Sequence, residues 1–187
     1  MLSSSPPSNH APALIALNFS GFSRDYEAAL TVIDGGLTEC SKLYEPLLQV
    51  IKARLLMGSG SPGDGTNLLA NACSEFKRKQ GSDDDSRNWV EIEREQQAIL
   101  CKELTELYLS QDRIKDAEYA VAELERLAPN TTDTLSVTGD VRHAQGRIDQ
   151  AIQLYEMALS IDPTQEAATL SLGASSAGWQ RDVTGGA

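Results

Sequence analysis

Residues 98–131, AILCKELTELYLSQDRIKDAEYAVAELERLAPNT, and residues 132–165, TDTLSVTGDVRHAQGRIDQAIQLYEMALSIDPTQ, are two versions of one 34-residue pattern. Set one over the other, Tyr108 falls on Arg142, Ala117 on Ala151, Val121 on Tyr155, Leu124 on Ala158 and Pro129 on Pro163. Residues four apart on a helix share a face, so Ala151 and Tyr155 form a small-then-large pair, and a proline closes each block by preventing further helix. A period of this length marks a helix–turn–helix unit that buries its apolar face only by stacking on a neighbour.

The second block resembles the tetratricopeptide repeat (TPR) family at Gly139, Gly146, Ala151, Tyr155, Ala158 and Pro163, and the first at Leu104, Tyr108, Ala117 and Pro129. Thr105 and Asp112 stand where the family favours small residues or glycine, and Arg142 stands where an aromatic is usual. The resemblance implies an all-α fold, a right-handed superhelix (α-solenoid) of antiparallel helix pairs. It also implies a non-catalytic protein–protein interaction scaffold or adaptor. An inserted acidic loop followed by adjacent repeats over the last hundred or so residues is similar to the TPR scaffold of plasma-membrane phosphatidylinositol 4-kinase complexes. That similarity implies a fragment or subunit of a larger assembly as the alternative reading.

Composition agrees with thin helical layers. The chain is 41% hydrophobic but only 5% aromatic, which suits interfaces sealed by Ala and Leu better than a β-sandwich core. The formal net charge is −11, and residues 81–130 hold 13 acidic against 6 basic side chains, or −7 of it. Nucleic acid and anionic lipid both need cations to displace counterions, so this balance argues against them and for a protein or peptide partner of basic character. Cys40, Cys73 and Cys101 are odd in number and widely spaced, which reads as reduced, buried thiols in a cytoplasmic protein. The run from Ala11 to Phe19 lacks a cationic lead and is interrupted by Pro12, so it reads as neither signal peptide nor membrane span.

Taken in order, residues 1–11, with Ser3-Ser4-Ser5-Pro6-Pro7-Ser8, read as a disordered leader. Residues 12–80 read as two degenerate hairpins. The first has helices near 12–18 and 24–33, with Ile15, Ala16, Phe19, Ala28 and Val32 at packing positions, and Gly35-Gly36 ends it. The second spans 43–57, with Leu47, Val50, Ile51, Arg54 and Leu55 on one side, and 66–79, with Leu68, Leu69, Ala72, Cys73 and Phe76. The glycine-rich stretch Gly58–Gly65 between them reads as a linker. A nucleotide-binding or hydrolytic protein built on it is the alternative of another class. However, Gly65-Thr66-Asn67 lacks the lysine a phosphate-binding loop requires, and no strand precedes it. Residues 81–88 read as an exposed acidic loop whose contiguous Asp83-Asp84-Asp85 does not match a calcium-binding pattern. Residues 89–165 hold the two repeats, with Thr132 or Asp133 capping the first helix of the second. Residues 166–180 read as a capping or truncated-repeat helix, because Gly173 lies 34 residues after Gly139, and 181–187 as a loose tail.

Catalytic and metal-binding constellations are missing: the two histidines, His10 and His143, lie apart and outside any ligand or nucleophile motif. The expectation is therefore no enzyme, no cofactor and no metal. In TPR arrays the first helix of each repeat lines the inner groove. Carried onto this chain, the groove positions are Ile99, Lys102, Glu106 and Leu109, then Asp133, Ser136, Asp140 and His143. Repeats that clamp a C-terminal carboxylate place Asn one turn after the first Lys and another Asn in the next repeat. Here those positions hold Glu106 and Val137, which argues against that ligand and for a segment carrying Lys or Arg beside an apolar anchor.

Overall fold

The computed structural model describes residues 25–39, 44–79 and 87–184, with side chains described over 25–38, 44–75 and 92–175. Among the described residues there are eight helices and no strand: α1 (Tyr26–Glu39), α2 (Glu45–Gly58), α3 (Pro62–Lys79), α4 (Arg87–Ser110), α5 (Ile114–Leu127), α6 (Thr132–Ala144), α7 (Ile148–Ile161) and α8 (Glu166–Thr184). They fall into two compact units, one ending at Asp85 and one beginning at Ser86. The leader, the 12–18 helix with Ile15, Ala16 and Phe19, Cys40, the loop 81–86, the tail 185–187 and the side chains of Phe76 and Trp89 lie outside the described residues.

In the first unit α1 packs on α2, and α2 on α3. Ala29, Ile33, Leu48 and Leu55 form its core, so the buried face of α1 lies one residue along from Ala28 and Val32. On α2 the buried residues are Pro46, Leu48, Val50, Ala53 and Leu55, while Leu47 is 52% exposed. Gly35-Gly36 does not end α1. Leu37 packs on the same core and Gly36 faces Leu48 Cδ1, at 3.6 Å from where its Cβ would be, so packing outweighs the poor helix propensity of glycine. The expected 58–65 linker is also shorter than its sequence suggests. Only 59–61 lie between α2 and α3, and Gly63, Asp64 and Gly65 belong to the first turns of α3. A Cβ on Gly65 would sit 2.7 Å from the carbonyl oxygen of Ala53, and one on Gly58 would sit 2.6 Å from Tyr26 Cε1. These glycines are used for close helix approach, and that accounts for the stretch without a ligand.

The second unit is the repeated one. α4 pairs with α5, and α6 with α7, and α8 packs on α7. The apolar seam runs through Leu100, Leu104, Ala117, Val121, Leu124, Val141, Ala151, Tyr155 and Ala158, each at most 6% exposed. Leu135, Ala158 and Ala168 then join α6, α7 and α8. Two small differences separate the observed helix ends from the expected ones: α4 begins at Arg87, inside the supposed loop, and α8 runs on to Thr184. The cap of α6 is Thr131, whose Oγ1 accepts from the Thr134 amide at 3.2 Å, and not Thr132 or Asp133. Backbone geometry decides this. Asn130 takes a left-handed φ of 58°, which leaves Thr131 extended at the helix entrance.

The turns inside the two hairpins use one conformation with different residues. Gly146 has φ 75° and Asp112, its counterpart one period earlier, has φ 57°. A non-glycine residue there costs roughly 1–2 kcal/mol, less for Asp than for most. Gly146→Ala is therefore expected to destabilise the second unit by about 1 kcal/mol, and Asp112→Gly to stabilise it by up to about 1 kcal/mol, in urea denaturation. Equal effects of the same sign would show that the two turns are not equivalent.

Candidate functional site

The first helices of the second unit stand side by side: α4 touches α6, and α6 touches α8, whereas the second helices α5 and α7 make no comparable contact with each other. The stack therefore closes along the first helices, which makes their free face the inner one. Two hollows lie on it. The first, of about 380 Å³, is lined by Glu106, Leu109, Asp140, His143, Ala144, Tyr155, Ser171, Ala174 and Ser175. The second, of about 550 Å³, lies between α4, the end of α5 with its following turn, and the start of α6; Ala98, Ile99, Leu124, Leu127 and Pro129 line it together with the charged Arg94, Glu95 and Asp133. Between them Lys102 Nζ meets Asp133 Oδ1 at 2.9 Å.

Seven of the eight expected groove residues reach this face. Glu106, Leu109, Asp140 and His143 come together in the first hollow, and Ile99 and Asp133 line the second, with Ile99 46% exposed. Ser136 does not: it is 2% exposed, enclosed within a stretch of α6 in which residues 134–139 are all buried, and it cannot meet a partner from there. Lys102 is engaged by Asp133 and Val137 is 3% exposed, so neither offers the donors of a carboxylate clamp.

Asp140 organises the first hollow. Its Oδ1 accepts hydrogen bonds from the Tyr155 hydroxyl at 2.8 Å and the Ser171 hydroxyl at 3.0 Å, so α6, α7 and α8 meet on one oxygen. Burial raises its carboxyl above the usual carboxylate range, against the opposing pull of those two hydroxyls and of His143. Burial and the neighbouring Asp140 charge likewise push the Tyr155 phenol up, so it stays protonated and donates. Tyr155 is legible in the sequence as a packing residue, but its hydroxyl and Ser171 are not. Their only trace is that Asp140 follows Gly139, the residue that admits the Tyr155 ring.

The raised carboxyl has a stability consequence. Folded Asp140 holds its proton to higher pH than the unfolded chain does, so stability falls as pH rises from the ordinary carboxylate value through the raised one, and stays lower above it. Asn at this position keeps the accepting oxygen without the charge. Asp140→Asn is thus expected to raise the melting midpoint at neutral pH and to leave it nearly unchanged near pH ~3, where both forms are neutral. A lowered midpoint at neutral pH would contradict this.

Paired helices stacked in register, with their first helices lining one face, form an all-α helical-repeat fold like that of TPR solenoids. Residues 139–175 match the family model described as "TPR repeat". Among solved structures it is similar to nearly identical TPR-like repeats of a putative kinesin light chain from Podosopora anserina, with TM-score 0.64, 13% identity, and coverage of 92% of this chain and 87% of that one. It is similar also to MamA (residues 41 to the end) from Desulfovibrio magneticus RS-1, with TM-score 0.60, 12% identity and coverage of 97% and 90%. The first TPR domain of human RPAP3 superposes with TM-score 0.56 at 15% identity, covering 76% of this chain and 98% of that one. These likenesses concern the fold. In sequence, Protein NPGR2 of Arabidopsis thaliana is 23% identical over 142 residues, which is 74% of this chain but only 19% of that protein's length. TPR repeats are in general non-catalytic modules that bind proteins. No helix among the described residues is long and apolar enough to cross a membrane.

Proposed function

We propose that the chain is a protein-interaction scaffold whose inner face takes a partner segment carrying one Lys or Arg beside an apolar anchor. The observation that carries this reading is the first hollow, where Glu106 and the half-buried Asp140 face the same space. A cation there compensates for the desolvation that already raises the Asp140 carboxyl. The one lysine among the expected groove residues is neutralised by Asp133, so the face keeps an acidic excess. Beside Ile99 the second hollow offers Ala98, Leu124, Leu127 and Pro129 as an apolar seat, with Arg94, Glu95 and Asp133 also lining it. Ile99 and Glu106 are seven residues apart on one helix, or about 10 Å, which matches a basic and an apolar residue three apart in an extended segment. No catalysis is assigned to this face.

The test is affinity purification of partners with the full chain, repeated with Glu106→Lys and with Asp140→Asn. Glu106→Lys reverses charge, whereas Asp140→Asn removes it while keeping the local hydrogen bonds. Both are expected to weaken capture of the inner-face partner, by about tenfold or more for the reversal. Undiminished binding of every captured partner by both variants would refute the basic-segment reading.

Membership of a larger assembly is the second reading we propose, on the resemblance of the acidic insertion and the adjacent repeats. A phosphatidylinositol 4-kinase complex is one such assembly. Co-precipitation of that kinase with the chain tests it directly, and recovery of stable complexes that lack the kinase would count against it.

A further inference from the structure

Glu106 and Asp140 lie 34 residues apart, so they hold the same position on the successive first helices α4 and α6, and both line the first hollow. The next position in that row, on α8, is Ala174, which lines the hollow too. The acidic row ends there, and two carboxylates face the ligand's charge. They are not equivalent acceptors. Asp140 Oδ1 is occupied by the Tyr155 hydroxyl at 2.8 Å and the Ser171 hydroxyl at 3.0 Å, donors that come from α7 and α8. Two donors on one oxygen fix the orientation of the carboxyl group. Among the described residues, Oδ2 is the Asp140 oxygen left without a hydrogen-bond partner. Leu109, Ala144 and Ala174 add apolar wall to the same hollow.

We infer that this hollow selects lysine over arginine, with the ammonium group held between Asp140 Oδ2 and the Glu106 carboxylate. The inference rests on the basic-segment reading above and names which of the two cations the site takes. Arginine owes its strength as a carboxylate partner to two parallel hydrogen bonds on both oxygens of one carboxylate. With Oδ1 occupied by Tyr155 and Ser171, Asp140 cannot close that fork. A guanidinium is then reduced to a single bond on Asp140, and its geometric advantage is lost. A lysine ammonium is a compact charge with three donors, so it meets carboxylates on two different helices and keeps a donor for water. Its methylene stem covers the apolar wall of Leu109, Ala144 and Ala174. Acetylation of that lysine removes the charge and releases the segment.

The probes are random heptapeptides displayed on phage and selected on the immobilised full chain at neutral pH. The most enriched peptide is then synthesised with a fluorescent label and titrated by anisotropy. Selection is expected to enrich lysine over arginine relative to the starting library. Replacing the lysine of the synthetic peptide by arginine is expected to weaken binding by at least about threefold, and acetylating it by at least about tenfold. Glu106→Lys abolishes binding of the lysine peptide, which locates it in the hollow. The double variant Tyr155→Phe with Ser171→Ala keeps the ring against Gly139 and frees Oδ1. Arginine can then close its fork, and the gap between the two peptides is expected to shrink to less than about twofold. Ser171→Ala alone narrows the gap part of the way and serves if melting shows the double variant unfolded. Arginine binding the native chain as tightly as lysine overturns the selectivity and leaves the basic-segment reading standing, as does a lysine preference that these variants leave unchanged. Enrichment of no cationic residue, undiminished binding of the acetylated peptide, or binding that survives Glu106→Lys overturns both.

Discussion

Gly139→Thr is expected to destabilise the second unit by about 2–3 kcal/mol, because the new side chain enters the space of the Tyr155 ring. Tyr155→Val alone is expected to cost about 3 kcal/mol, from the cavity left by a side chain 1% exposed and from the lost hydrogen bond to Asp140. Combined, the two substitutions reproduce the Thr105 and Val121 pair of the preceding repeat. The double variant should then be more stable than the sum of the singles by at least about 1 kcal/mol. Both tryptophans, Trp89 and Trp179, belong to the second unit, so urea denaturation followed by their fluorescence reads this unit alone. Strict additivity would mean that the glycine and the tyrosine do not share one packing position.

The first unit carries the second large effect. Gly65→Ala places a methyl group 2.7 Å from a backbone oxygen on α2, which cannot rotate away as a side chain would. Helix α3 must then move off α2, at an expected cost of about 2–3 kcal/mol. Gly63→Ala, two residues earlier in the same helix with nothing within 4 Å of the added carbon, should be neutral or stabilising by up to about 0.5 kcal/mol. Amide hydrogen exchange over residues 45–79 separates the two, with faster exchange in the first variant only. Similar behaviour of both would show that helix propensity, and not close approach, governs these glycines.

The second unit was readable from sequence because its packing is periodic: a 34-residue repeat fixes which face of each helix is buried, and α4 to α7 end where the turns and prolines place them. The first unit has no second copy within the chain to average out ambiguity. In α1, Ala28-Ala29 and Val32-Ile33 offer two adjacent faces, and contact with Leu48 and Leu55 on α2 selects Ala29 and Ile33. Gly35-Gly36 and Gly58–Gly65 look like breaks because local propensity cannot show that a missing side chain is needed for a neighbouring helix. The site was legible to the extent that it lies on first helices. Ser136 was misplaced because α6 is covered on more sides than one hairpin requires, by α5 and α8 as well as α7. The link from Tyr155 and Ser171 to Asp140 spans three helices, and no local pattern in the sequence encodes it.

Carboxyl footprinting of the full chain, alone and with its captured partner, tests the inner-face assignment most directly. Glu106 and Asp140 should lose reactivity on binding, while Glu118, Asp149 and Glu156 on the second helices α5 and α7 keep theirs. Protection of α5 and α7 carboxylates with Glu106 and Asp140 still open to the reagent would place the partner on the opposite face and contradict it.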